Sequence, residues 1–449
     1  MKILQNGDGD MLLEFKTKNF KSFSEEADLL MTAAPKQKGL DYSLCREKIK
    51  SKEIRGLSTS VLYGPNASGK TNIIGAMDVL RAIVMRGNIR NTEEQMMQNP
   101  AVANLELIPN NQDDEGKPVE FMIEFTEAGY RIRYELIIYV GAFLETEAKR
   151  RVLKETLMVN GEMVFERNEH LKVGTFKSIN NHVQNRLDDN LRDIAERGLN
   201  PEELFLVNGF RLIYSGSFVK LIMDWFVNKF MVICRADSMQ LIKRFSDPQK
   251  KTVYVEKTTN DAAKIFGINS NAIGYVVADD ESETRLCSIF KNLKNENNVA
   301  IAAEVFESYG TIRFITLFPL VIKAILTGAV LIVDEFDASI HPMALNSIIN
   351  VFHNDDVNVK HAQLIFNTHN PIFLNSNIFR RDEIKFVERE EETNNSILYA
   401  LSDFGTTGDK GVRQHEDYMK NYFIGRYGAI KDIDFTTIFE ELLAGEVAE

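Results

Sequence analysis

The sequence predicts an α/β fold built on a mostly parallel sheet, and three observations carry that prediction. A short apolar stretch at 60–63 runs into a loop bounded by Gly64 and Gly69. The run at 70–85 that follows repeats its apolar residues (Ile73, Ile74, Met77, Leu80, Val84) with the period of a helix. A second apolar run, at 329–333, ends on Asp334-Glu335, as a buried strand delivering two carboxylates to one end of a sheet would. From about residue 300 onward strand-like and helix-like stretches alternate, which is the grammar of parallel strands joined by crossover helices.

Element by element, residues 11–30 alternate apolar and polar and read as a strand, a turn at 19–22 and a second strand. Residues 31–55 are polar and mixed and read as a loop. Residues 86–118, with Asn-Pro at 99–100 and Asp-Asp-Glu-Gly at 113–116, read as an irregular connection. Strands at 119–125 and 130–139 join through Glu127-Ala-Gly129, and 156–159 and 163–166 flank Asn160-Gly161, a type I′ hairpin signal. An antiparallel meander therefore occupies 119–167. Residues 205–230 read as mostly helical, with Trp225 on an apolar face, inside a stretch at 180–300 that mixes helical segments with polar breaks. No heptad run or internal repeat is visible. The C-terminal part reads as a helix at 311–326, a strand at 329–333, a helix at 343–353, a strand at 363–366, strands at 384–388 and 397–401, and a short helix at 418–427. The expected organisation is an N-terminal lobe at 1–175, a mainly helical insertion for a partner or for self-association at 176–303, and a C-terminal lobe at 304–449.

Composition bounds the function. The chain has 449 residues, 44% hydrophobic and 26% charged, which excludes wholesale disorder. Its net charge of −12 argues against indiscriminate nucleic-acid binding, which shows as excess Lys and Arg. Cys45, Cys234 and Cys287 are odd in number and far apart, so neither a disulfide framework nor a zinc pattern is present, and a reducing compartment is expected. The start carries no basic-then-apolar leader pattern. The apolar stretch at 314–333 is broken by Pro319, Lys323, Thr327 and Gly328 and reads as a helix followed by a strand rather than a membrane span. The expected location is the cytoplasm, with no membrane partner.

The strongest motif is Gly64-Pro-Asn66-Ala67-Ser68-Gly69-Lys70-Thr71, which fits GxxxxGK[ST] between a strand and a helix. Glycines let the backbone curl so that successive N–H groups point at a phosphate, and the helix N-terminus adds the positive end of its dipole. Lys70 is expected to reach the β- and γ-phosphates, and Thr71 to offer its hydroxyl to Mg²⁺. Asp334 is expected to hold that Mg²⁺, mostly through water, and Glu335 to polarise the attacking water. An acid in the second position, together with the absence of a guanine-reading Asn-Lys-x-Asp motif, favours ATP over GTP.

Several blocks carry a resemblance. Lys18-Asn19-Phe20-Lys21-Ser22-Phe23, the loop from Gly64 to Asn72, Asp334-Glu-Phe-Asp-Ala-Ser-Ile-His341-Pro342 and Phe366-Asn-Thr-His369-Asn-Pro371 resemble the SMC/RecF-like branch of ABC-type ATPases. Glu307-Ser-Tyr-Gly-Thr-Ile-Arg313, Phe379-Arg-Arg-Asp-Glu-Ile-Lys-Phe-Val387, Leu398-Tyr-Ala-Leu-Ser-Asp-Phe404 and Tyr422-Phe-Ile-Gly-Arg-Tyr-Gly-Ala429 are similar to the family-fifteen predicted ATPases of the AAA group, which include RloA and AbiL-type proteins. The matched segments span about residues 12 to 430, with 170–300 matched only in patches.

The resemblance implies an ABC-type ATPase head without a long coiled coil. It places Ser308 and Gly310 at a signature loop facing the γ-phosphate of a second subunit, although Glu307, Tyr309 and Thr311 depart from LSGGQ. It places Asp337 and Ser339 in a D-loop at that interface, gives His369 a role at the γ-phosphate or the water, and sets Asn19 and Lys21 near the base and phosphates. No glutamine is selected for a Q-loop among Gln95, Gln98 and Gln112. It also implies an ATP-sandwich homodimer or higher homo-oligomer. The expected role is the sensor subunit of bacterial anti-phage defence, controlling a separate nuclease or toxin of TOPRIM or RloB type and triggered by nucleic acid or a phage protein. The alternatives are a RecF-like repair ATPase that clamps duplex DNA, and a structural hub that turns ATP over slowly. Arg380-Arg381-Asp382 and Gly425-Arg426-Tyr427-Gly428 read as structural, and Lys149-Arg150-Arg151 as a solvated face. The runs at 279–281 and 390–392 are acidic without metal-site context, so no nuclease is visible.

Overall fold

Two large sheets, one antiparallel and one mostly parallel, clamp a single long helix between them. The computed structural model describes residues 10–90, 105–234, 252–277, 284–431 and 434–446, apart from 36, 38, 146, 186, 187, 256, 269, 293, 295, 296, 407–410 and 414. The antiparallel sheet contains β1 (Leu12–Lys18), β2 (Ala27–Leu30), β6 (Val119–Glu127), β7 (Tyr130–Tyr139), β8 (Arg151–Val159), β9 (Glu162–Arg167) and β10 (Leu171–Val173), in the order β10-β9-β8-β7-β6-β1-β2. Asn160 and Gly161 both have positive φ, 53° and 80°, as the predicted β8–β9 hairpin requires.

The second sheet runs β11-β16-β17-β5-β18-β19. It comprises β5 (Thr59–Tyr63), β11 (Phe230–Ile233), β16 (Val330–Val333), β17 (Gln363–Asn367), β18 (Ile384–Arg389) and β19 (Ser396–Ala400). All pairs are parallel except β18 with β19. Its central strands are buried at every position and apolar over most of their length, because both faces are covered. Val330 and Ile332 of β16 and Ile365 of β17 enter one core, with β1, β6 and helix α1 (Lys70–Arg86). Their neighbours Leu331, Val333, Leu364 and Phe366 point the other way, into a core with the Tyr309–Thr327 and Pro342–Phe352 helices. Helix α1 stops at Gly87 (φ 69°), whose N–H returns to the carbonyls of Ile83 and Val84.

Two stretches differ from the sequence reading. Residues 31–55 are not all loop. Leu44–Ile49 and Lys52–Leu57 form a hairpin, β3 and β4, whose inward positions include Glu47, so the apolar alternation is broken. The mainly helical insertion at 176–303 is mostly helical only in its first part, and beyond β11 its described residues form strands around one helix, Lys257–Phe266. The Asp189–Arg197 and Gly216–Asp224 helices and two π-helical turns, Leu206–Phe210 and Trp225–Lys229, end at β11, which joins the parallel sheet. A four-stranded antiparallel sheet follows, formed by β12 (Thr252–Tyr254), β13 (Ala272–Val277), β14 (Thr284–Lys291) and β15 (Asn298–Ala302). Phe230 opens β11 directly after the π-helical turn, and four residues are too few to show a strand period. Trp225 lies on the apolar face as expected, stacked on Phe125 at 3.8 Å.

The Arg380-Arg381-Asp382 block is an anchor. Arg380 grips Asp382 through two hydrogen bonds of 2.9 Å and donates to the Gly39 carbonyl at 2.8 Å. Asp382 also accepts from the Ala34 N–H. Glu383 accepts from the Thr59 hydroxyl at 2.6 Å, with His353 Nε2 at 3.2 Å. Arg381 donates to the carbonyls of Gly405 and Val412. Together these residues tie the 33–43 loop and the C-terminal tail to β18. Because Arg380 and Asp382 are both buried, Arg380→Ala leaves a carboxylate uncompensated, at a cost of about 3–5 kcal/mol. Thermal unfolding is expected several degrees lower. An unchanged midpoint would remove this block from the framework.

In the second glycine block, Arg426 pairs with Glu416 at 2.8 Å, and a Cβ on Gly428 would stand 2.6 Å from a Glu388 oxygen. Lys149 and Arg151 are exposed, with Arg151 over Tyr139, as a solvated face requires, but Arg150 is half-buried and donates to the Ile89 carbonyl. The 279–281 run lies outside the described residues.

Candidate nucleotide-binding site

The C-terminal ends of β5, β16 and β17 converge on one cleft of about 420 Å³. The loop after β5 forms its floor. Ala67 has φ 62° and Gly69 φ 111°. At Gly64 a Cβ would meet the Val387 carbonyl at 2.1 Å, and at Gly69 it would meet Ser396 Oγ at 2.5 Å, so only glycine fits either position. Gly69 caps α1 with no side chain, leaving the helix's first turn facing the cleft. Behind the loop, Ser396 Oγ donates to the Ser68 carbonyl at 2.6 Å and lies 2.7 Å from Ser22 Oγ, which accepts from Asn72 Nδ2.

Lys70 is buried and donates to the carbonyls of Gly64 at 2.7 Å and Pro65 at 2.9 Å. Burial presses its pKa down to about 8 against the opposing pull of Asp334, Glu335 and Asp337. The Thr71 hydroxyl donates to Asp334 Oδ1 at 3.1 Å. Asn367, at the end of β17, holds both acids of the pair: its amide donates to Asp334 Oδ1, and its carbonyl oxygen accepts from the Glu335 N–H. Glu335 sits at φ 50°, a left-handed turn for a non-glycine residue, and the buried Arg313 donates to its carbonyl. The Thr368 hydroxyl donates to Asp337. His369 stands at the rim. Partial burial and then the nearby Lys70 push its imidazole pKa down, so it is neutral at pH 7.

The expected residues thus converge, with exceptions. Lys70, Thr71, Glu335, His369, Lys21 and the 66–72 loop line the cleft, and Asp334 touches Thr71. Asn19 does not line it. It is buried, and its amide is used on Asp113 and the Lys117 carbonyl, so its role is to hold the 110–117 loop, which corrects the expected base contact. Lys21 pairs with Glu106 at 2.9 Å. Gln112 turns to Thr393 and Asn395, and its neighbour Asn111 faces the cleft. Gln95 and Gln98 lie outside the described residues.

Ser308 and Gly310 are absent from their own chain's cleft. Ser308 is an exposed N-cap, accepting from the Thr311 N–H at 3.1 Å. Gly310 packs so tightly on the turn at 337–339 that a Cβ would stand 2.1 Å from the Ser339 carbonyl.

Sequence reading missed Asn367, Ile108, Pro109, Asn111, Phe143 and Arg389. Asn367 lay inside a recognised block, beside the histidine, and its position after a buried strand was the available signal. The others come from loops and a strand end that carry no motif.

The site defines a P-loop nucleotide-binding protein of α/β class in which one strand, β17, separates the P-loop strand from the Asp-Glu strand. Residues 60–375, more than half of the chain, match the family described as "AAA domain, putative AbiEii toxin, Type IV TA system", and the chain belongs to that family. This is the AAA-group membership that the sequence predicts. Among curated protein sequences there is no match to this chain. Among solved structures, it is similar to an SMC head domain from Thermotoga maritima, at 13% identity and TM-score 0.36, covering 87% of this chain and 98% of the other. It is also similar to an Smc head bound to the C-winged helix domain of ScpA, at 12% identity and TM-score 0.40, covering 87% and 97%. A third is an Smc head with an extended coiled coil bound to the C-terminal domain of ScpA derived from Pyrococcus furiosus, at 11% identity and TM-score 0.38, covering 88% and 97%.

The donor set fits Mg²⁺. Thr71 and Asp334 offer only oxygens, and among the described residues no three His, Cys, Asp or Glu side chains are grouped so as to hold a metal ion by themselves. A cation held here completes its shell with water and phosphate oxygens, the usual habit of Mg²⁺.

Proposed function

We propose that this protein is a Mg²⁺-dependent ATPase whose nucleotide is sandwiched between two protomers. The observation that carries the reading is the juxtaposition of Lys70, Thr71, Asp334 and Glu335 at one end of one cleft. Lys70 and the loop N–H groups bind the phosphates. Thr71 and Asp334 hold Mg²⁺, which when bound neutralises phosphate charge. Glu335 orients a water and accepts its proton at the carboxylate, and neutral His369 donates a hydrogen bond at the rim. Ile108, Pro109 and Phe143 offer an apolar wall to the base. Exposed Ser308, rigidly backed by Gly310 on Ser339, supports the sandwich, because this helix start faces solvent and a second chain's phosphates could reach it.

The proposed setting is the cytoplasm. Among the described residues one helix, Tyr309–Thr327, is long and apolar enough to cross a membrane, but here it packs under the parallel sheet. The proposed role is the sensor of a bacterial anti-phage system, acting on a separately encoded nuclease or toxin and triggered by nucleic acid or a phage protein. The family's description as a toxin of a type IV toxin–antitoxin system supports a two-component arrangement. The 176–303 segment is the proposed partner-binding or self-association part, between lobes at 1–175 and 304–449. The test is solution mass with and without Mg-ATP. A doubling with ATP is expected. A mass that shifts only with duplex DNA would replace this reading with the DNA-clamp one.

A further inference from the structure

Two apolar surfaces in the C-terminal part are left open to solvent by the described residues. The first is the Thr436–Glu446 helix with the residue before it. Phe435, Ile438, Phe439, Leu442 and Leu443 are each more than half exposed. Their spacing of i, i+3, i+4, i+7 and i+8 puts them on one helical face, the pattern of a helix that lies in a groove. The second is a groove of about 240 Å³ between the Tyr309–Thr327 and Pro342–Phe352 helices, lined by Phe318, Val321, Ile322, Ile325, Ile348 and Val351. Charge is complementary as well. The Thr436–Glu446 helix carries Glu440, Glu441 and Glu446 and no base, whereas the two groove helices carry no acid and expose Lys323, their other base, Arg313, being buried against the Glu335 carbonyl. Lys323 and Lys360 are exposed beside the groove, with Lys360 bonded to the Leu326 carbonyl at its end.

We infer that the Thr436–Glu446 helix of one copy docks into this groove on a second copy, giving a self-association that needs no nucleotide. It is separate from the ATP sandwich: it uses the far end of the helix that begins at Ser308. One copy therefore offers both a helix and a groove, and the contact can be reciprocal or can chain copies together.

Sedimentation of nucleotide-free protein tests it. Wild type is expected to associate in the micromolar range, weakening as salt screens the lysine and glutamate charges. Leu442→Asp on the helix and Leu326→Asp at the groove's end change exposed side chains, so each leaves the fold intact. Each is expected to weaken association by about tenfold or more. Cross-linking fixes the occupant: a copy with Val351→Cys mixed with a differently tagged copy with Leu442→Cys should give a joined dimer. A wild type that stays monomeric, an association that both variants leave unchanged, or a link formed only when both cysteines share one chain would overturn the inference. None of these readouts depends on ATP, so failure here is distinguishable from failure of the ATPase reading.

Discussion

Glu335→Gln is expected to lower ATP turnover by about 10²- to 10⁴-fold, the range for loss of a positioned general base, while leaving nucleotide binding intact. The glutamine keeps the size of the side chain, and the backbone on which it sits does not depend on the carboxylate. The Glu335 N–H is held by Asn367 and its carbonyl by Arg313, so the left-handed turn survives the exchange. Only proton acceptance is lost. Arrested hydrolysis then accumulates the ATP-bound assembly, and solution mass in Mg-ATP should rise and persist. Undiminished turnover would mean that another group activates the water. A slowly hydrolysing structural hub would show equally low turnover in wild type and variant.

Lys70→Ala is expected to weaken ATP binding by about 10²- to 10³-fold, the loss typical of truncating one partner of a buried charge pair. The lysine is already confined by the Gly64 and Pro65 carbonyls, so little side-chain ordering remains to be lost on binding. Its depressed pKa adds a pH signature. The free protein's ammonium is charged below about pH 8 and neutral above it. Phosphate contact favours the charged form and raises the pKa in the complex. Affinity should therefore be flat up to about pH 8 and then fall as pH rises, by at most about tenfold per unit for one linked proton. The alanine variant should lose that dependence. In cells the same substitution is expected to abolish protection from phage, and intact protection would remove ATP from the defence role.

Much of the site was legible because it is local. The P-loop is eight consecutive residues whose backbone does the binding, and Asp334-Glu335 follows directly on a buried strand. The parallel sheet was legible for a related reason: strands covered on both faces are apolar where both faces are packed, as all of β16 and the middle of β17, residues 364–366, are. What escaped was non-local. Asn367 acts because β17 lies next to β16, and Ser396 because β19 folds over the loop behind Ser68. Asn19 looked like a ligand in a polar turn, yet its amide meets Asp113, 94 positions away. The β12–β15 sheet escaped for another reason: its outer strand β15 is exposed almost throughout, so no apolar alternation marks it.

The central claim is a composite site, and mixing two inactive variants tests it most directly. Lys70→Ala removes the phosphate clamp. Ser308→Asp keeps an N-cap for the Tyr309–Thr327 helix but aims a carboxylate at the partner's phosphates. Each alone should be inactive. Mixed in equal amounts they should recover about a quarter of wild-type turnover, because half the dimers are mixed and one of the two sites in each is intact. No recovery at any ratio, beside an active wild type, would contradict the composite site and place hydrolysis within a single chain.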